Sequence, residues 1–273
     1  MDTMKKWLGC LLLLLALPSY AYIAQQEFPE QIARFISDII VNQDGSLDIT
    51  ETITVHANQT QIKNGLVRWI PTQDNQNNYF SVLRYKLYDV LMDNKQLPYK
   101  MQRENKRFII YIGDPKKLLA PGDYTYTIKY HVTNAVTFLS QQDQLTWNVT
   151  GNDWSFPIQS AEANIALPDG AAITHYLAYT GTQRDKRPFL KVLWSQKNKI
   201  SFITTQPLII HSGLTVAIAW PKGFITPPTW QEQVKAFVTN NPFLLLTLGL
   251  FVIIFWAGAR FLRPNHKTRT RKR

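Results

Sequence analysis

The sequence predicts a mainly β protein: an antiparallel β-sandwich followed by one C-terminal transmembrane helix. Three observations predict it. Apolar residues recur with period two, turn residues separate those runs at short intervals, and a long uncharged apolar run stands near the C-terminus.

The clearest strand runs from Leu47 to Ala57. Leu47, Ile49, Ile53, Val55 and Ala57 share one face, and Asp48, Thr50, Thr52, Thr54 and His56 share the other. Gln43-Asp44-Gly45-Ser46 joins it to a preceding strand near Phe35 to Val41, a hairpin with suitable turn residues. The pattern returns at Tyr124 to Val132, where Tyr124, Tyr126, Ile128, Tyr130 and Val132 alternate with polar residues. Further strands are expected at Val82 to Leu91, Phe108 to Ile112, Ala161 to Leu167, Ile173 to Tyr179, Leu190 to Trp194, Ile200 to Thr204 and Leu214 to Trp220. Many short strands between Gly, Pro and Asn turns point to a sandwich. Val136 to Leu145 breaks the rhythm, as a connection between the sheets of one sandwich or between two β subdomains.

Both ends of the chain carry membrane signals. Residues 1–21 follow the plan of a cleavable leader, with Lys5 and Lys6, an apolar core from Leu8 to Leu17, and Pro18-Ser19-Tyr20-Ala21 before the cut. The β-rich part is then 22–226, and Pro227-Pro228 opens a linker, 227–241, that holds a short helix from Trp230 to Asn240. Residues 242–262 form the expected span, long enough at 1.5 Å per residue to cross a hydrocarbon core of about 30 Å. The basic tail 263–273 favours the cytoplasmic side, which leaves the β domain outside. Trp230, Arg260 and Arg263 are expected at the lipid interface.

The formal charge of +11 suggests nucleic acid until it is divided along the chain. Seven bases and no acid lie from Arg260 onward, so residues 22–259 hold 21 bases against 18 acids. That balance gives no electrostatic case for nucleic acid. The single cysteine, Cys10, lies in the leader, so the mature chain has no thiol nucleophile, thiolate metal site or disulfide. No HExxH pair, glycine-rich phosphate loop or GxSxG elbow occurs. No cofactor or metal site is expected.

Several ordered blocks carry a family resemblance: RFISDIIVNQDGSLDITETITV from Arg34, NGLVRWIP from Asn64, PGDYTYTIKYHV from Pro121, LTWNVTGNDWSFPIQSAEANIALP from Leu145 and AWPKG from Ala219. Together they resemble the bacterial membrane proteins grouped as domain of unknown function 2207. The resemblance implies an exported β-rich module attached to a bacterial plasma membrane, periplasmic in a Gram-negative cell. It implies no activity.

Two sets of residues stand out. Trp147, Asn148, Asn152, Asp153 and Trp154, with Phe156, would make a stacking platform edged with polar groups for a glycan or another envelope protein; the alternative is core and turn packing. An envelope hydrolase using Asp153 or Glu162 is the competing function. Glu51 interrupts the apolar face of the cleanest strand, and Arg68 shares a strand face with Leu66 and Ile70. A lone buried charge is costly, so the two are expected to pair as a structural ion pair.

Overall fold

The computed structural model describes residues 29–71, 83–104, 107–182, 184–240, 247, 249–251, 253–256 and 260. The expected leader, most of the span and the tail with Arg263 lie outside the described residues. Those positions of the span that are described are helical, and among the described residues no helix is long and apolar enough to cross a membrane.

The described chain is mainly β. In order it forms β1 (Gln31–Val41), β2 (Leu47–Ala57), β3 (Leu66–Pro71), β4 (Arg84–Met92), β5 (Lys95–Gln96), β6 (Tyr99–Glu104), β7 (Arg107–Ile112) and β8 (Gly122–Thr133). It continues through β9 (Val136–Phe138), β10 (Gln142–Asn148), β11 (Ala161–Ala166), β12 (His175–Gly181), β13 (Lys186–Arg187), β14 (Leu190–Ser195), β15 (Lys199–Thr204) and β16 (Gly213–Pro221), then α1 (Trp230–Asn240). Three sheets result among the described residues, ordered β14-β15-β11-β1-β2-β8-β4-β5, β13-β12-β16-β10-β9 and β3-β7-β6.

Period two explains β2 completely. Its burial alternates along all its length, and Glu51 takes a buried position between Ile49 and Ile53. The β1–β2 hairpin closes with Ser46 N–H donating to Asp44 Oδ1 at 2.9 Å, while Gly45 takes a left-handed φ of 77° that a side chain would resist. Buried side chains from all three sheets form one contiguous cluster, with Phe35, Tyr126, Tyr130, Phe202 and Trp220 among its largest members.

Two expectations need correction. The sheets are not wholly antiparallel: β1 pairs with β11 in parallel, from Phe35↔Ala161 to Ile40↔Ala166. These strands are far apart in sequence, so no hairpin dictates their relative sense. Val136 to Leu145 is not a bare connection either; it holds β9 and the start of β10, paired antiparallel with Asp143 opposite Phe138. The polar run Gln142-Asp143-Gln144 hides this strand from the pattern. Asp143 is nevertheless buried, and Lys222 Nζ meets its carboxylate at 2.7 Å.

The sheets have two distinguishable ends. At the exit end, β16 finishes at Pro221 opposite Gln142, and Thr226 N–H donates to Gln43 O in the β1–β2 turn. At the far end, Asn148 lies opposite Thr215, and Ile158 bridges Ile32 and Leu208. Beyond the exit, α1 starts with a reciprocal cap: Thr229 N–H donates to Glu232 Oε2, and Glu232 N–H donates to Thr229 Oγ1.

Candidate functional site

Glu51 on β2 and Arg68 on β3 meet inside the cluster, 0% and 2% exposed. Arg68 Nε donates to Glu51 Oε2 at 2.8 Å and Nη2 to Oε1 at 2.7 Å. Tyr130 on β8 adds a third donor, its hydroxyl 2.6 Å from Oε1. The other arginine hydrogens reach main-chain carbonyls: Nη1 donates to Thr150 O and Trp69 O, and Nη2 to Val149 O. Gly151 permits this approach, because a Cβ there would lie 2.8 Å from Arg68 Nη1.

The electrostatics follow from burial and pairing. Desolvation opposes the Arg68 charge, but the adjacent Glu51 carboxylate and its hydrogen bonds outweigh that and raise the arginine pKa. Burial, then the Glu51 charge, pushes the Tyr130 hydroxyl well above its ordinary 10.0. A carboxylate gripped by three donors and closed off from solvent has no lone pair aimed at a ligand. Its geometry fits fastening one sheet to another.

Beside this network lies a cleft of about 260 Å³. Arg68 links the two, since its guanidinium carbon is 5.4 Å from the Phe35 ring centroid and 5.6 Å from that of Trp154, which walls the cleft. Val67 and Trp69 of β3 and Tyr111 of β7 form one side, and Asp153 to Phe156 form the other. β3 is the edge of its sheet on this side. Gln61 and Ile62 close one end. Their loop is held by Glu30, whose buried carboxylate accepts from the N–H groups of Asn58, Thr60, Gln61 and Ile62. Gln61 also bonds Ser155 across the gap.

The proposed platform is therefore divided. Trp147 and Trp154 are both only 5% exposed, so no open pair of indole faces is presented. Large aromatics bury more apolar area than any other side chain here, and that favours the packing alternative. Trp154 donates its Nε1–H to Thr150 O at 2.8 Å. Asn148 and Asn152 bond each other and tie the Gly151 and Gly181 backbones. Asp153 and Trp154 do reach the cleft; Trp147, Asn148 and Asn152 do not line it.

Asp153 is the sole carboxylate among the cleft's lining residues, and Arg107 Nη1 lies 2.7 Å from it. Glu162 is elsewhere, on β11, paired with Arg34 at 2.9 Å. Trp230 at the start of α1 is exposed, and Arg260 stacks over Trp256 at 5.7 Å. Sequence reasoning missed Tyr130, Trp69, Tyr111 and Glu30. The first showed as a tyrosine on the apolar face of its strand, whereas Glu30 precedes the first strand and carries no pattern signal.

Residues 31–220 match the family model described as Predicted membrane protein (DUF2207) N-terminal domain. The chain belongs to this DUF2207 family. The DUF2207 chain is 29% identical over 270 residues to the uncharacterized protein YciQ of Escherichia coli (strain K12), covering 94% of this chain and 42% of YciQ. It thus spans less than half the length of that relative. Among solved structures it is similar to yeast LTA4 hydrolase, at 10% identity and a TM-score of 0.46 over 69% of this chain and 28% of that one. It is also similar to an M1 zinc metallopeptidase from Deinococcus radiodurans, at 11% identity and a TM-score of 0.39 over 68% of this chain and 42% of that one. Such likeness carries no functional argument.

Proposed function

We propose that the chain is a single-pass membrane protein of the bacterial envelope, whose β domain is a sandwich outside the cytoplasm acting as a non-enzymatic interaction module. The observation behind it is the placement of the cleft. It lies by Trp154, whose carbonyl accepts from His211 N–H among the far-end loops, while the chain leaves toward its span at the opposite end. In this reading a site so placed would face away from the bilayer. Membership in a family of predicted membrane proteins supports the anchor. So does the described part of the span, where Leu250, Phe251, Ile253, Ile254, Phe255 and Trp256 are all exposed; lipid, not water, suits such a surface.

The cleft's chemistry suits a glycan or an extended segment of another envelope protein. Trp69, over which Arg107 lies, and Tyr111 supply aromatic walls, Gln61 and the Arg107-paired Asp153 supply polar groups, and a strand edge runs alongside. A hydrolase using paired carboxylates needs a second acid within about 5 to 10 Å across the cleft, and Glu162 is not among its walls. A photocrosslinking amino acid at Tyr111, in the full chain in its own membranes, tests the reading. A discrete adduct lost on Trp69→Ala supports it; the same adduct pattern from a crosslinker at Lys95, on the other sheet edge, contradicts it.

A further inference from the structure

The positive charge of the outer domain is concentrated on one edge. Between His175 and Lys199 stand Arg184, Lys186, Arg187, Lys191, Lys197 and Lys199 against Asp185 alone. The rest of residues 22–259 holds 15 bases and 17 acids, so without this stretch the domain is slightly acidic. All six bases are exposed; Arg184, Lys186 and Arg187 stand at the β12–β13 turn toward the far end, with Arg187 paired to Asp185, and Lys197 and Lys199 stand at the exit end. The adjoining turn adds one exposed acid, Asp169, which leaves the edge clearly positive.

Apolar side chains lie among these bases. β12 is paired on its outer side only at Thr180 and Gly181, so its first half is a sheet edge, with Tyr176 54% and Leu177 62% exposed. β14 is the edge of the eight-stranded sheet and touches β12. Its register slips between Val192 and Trp194, a bulge that leaves the consecutive residues Leu193 and Trp194 both exposed.

The most apolar part of this edge sits at the exit end. His175 lies opposite Ala219, two residues before β16 ends at Pro221. Ile173 N–H donates to Lys197 O, and Lys199 pairs with Ala166 beside the β1–β2 turn. Tyr176, Leu177, Trp194, Lys197 and Lys199 therefore lie toward the end of the sheets at which β16 finishes.

We propose that this edge docks the domain onto the anionic headgroup surface of the bilayer that carries its anchor, an inference that rests on the membrane-anchored reading above. Lysine ammonium groups are attracted to anionic headgroups, and their stems can lie along an apolar surface while the charge reaches the phosphates. Tyrosine and tryptophan favour the same depth, where one end of the ring is apolar and the other wet. Charge and position both select lipid over a protein partner, since Lys197 and Lys199 are exposed beside apolar side chains at the end of the sheets from which the chain continues to α1. Docking here would tilt the domain so that the far-end cleft stays turned outward.

The test uses the full chain with Cys10→Ser, reconstituted in vesicles of phosphatidylcholine alone or mixed with phosphatidylglycerol. An environment-sensitive fluorophore is attached at Ser195→Cys, beside Trp194, or at Lys95→Cys on the opposite edge. Nitroxide-labelled lipid should quench the Ser195→Cys probe several-fold more in the anionic vesicles, and Lys197→Glu with Lys199→Glu should abolish that gain. Quenching equal at both sites, or indifferent to lipid charge, overturns the proposal; so do crosslinks from position 195 to a protein without quenching. Carbonate extraction of the same vesicles separates the two readings. A chain that washes off refutes the anchor, whereas one that stays without quenching refutes only the docking.

Discussion

Arg68 holds both oxygens of Glu51 across two different sheets, at 2.8 and 2.7 Å, in a site where neither side chain meets water. The pair fastens β3 to β2, and the remaining arginine hydrogens carry the connection onward to Val149 and Thr150. Removing one partner of a buried pair leaves the other uncompensated. Glu51→Gln and Arg68→Met should each cost about 3 to 5 kcal/mol in denaturant melts. The double variant should lose less than the sum, because with both charges gone no uncompensated charge stays buried. Strictly additive losses would contradict the pairing energetics.

Tyr130 extends the same network and gives it a pH signature. Burial and then the Glu51 charge raise its hydroxyl above the ordinary 10.0. A group whose pKa is higher folded than unfolded contributes stability that is complete below pH 10.0 and is lost as the pH climbs above it, through the raised folded value. Wild-type stability should therefore fall more steeply above pH 10.0 than that of Tyr130→Phe. Near neutrality Tyr130→Phe should cost roughly 1.5 to 3 kcal/mol for a hydrogen bond to a charged acceptor. Chemical denaturation across the alkaline range reads both, and parallel slopes for the two proteins would count against the assignment.

Glu30 makes a prediction about order. Its carboxylate accepts from four backbone N–H groups, those of Asn58, Thr60, Gln61 and Ile62, and the last two of these residues line the cleft. Glu30→Ala should cost about 2 kcal/mol and, more tellingly, speed amide exchange at Asn58 to Ile62 while leaving β2 protected. Exchange that rises uniformly over the sheet would instead mean that Glu30 supports global stability.

Much of this was legible from residue pattern, for physical reasons that also mark where legibility stopped. A half-buried strand must alternate, so β2 and β8 could be placed, and a carboxylate on the apolar face of β2 demanded a cation. Arg68 qualified because it broke the same rule on its own strand. Asp143 broke it too, but it is flanked by the polar Gln142 and Gln144, and the residue pattern does not reveal the start of β10. The aromatics around Trp147 stayed open between platform and packing because composition does not tell which side of a turn faces the core; Trp147 and Trp154 are buried, and Trp69 and Tyr111 line the cleft. The basic edge from His175 to Lys199 vanished in a whole-domain charge count. It became visible only when β12 and β14 were seen to be edges at the same side.

The central claim is a β domain outside the cytoplasm on a single anchor, and protease protection tests it most directly. Spheroplasts carrying the full chain with an epitope after Arg273 are treated with protease from outside. The account predicts digestion of the β domain, residues 22–226, with the epitope surviving on a small membrane-bound fragment until detergent is added. An epitope digested while the β domain is protected would contradict the orientation, and an intact chain that leaves the spheroplast in carbonate would contradict the anchor.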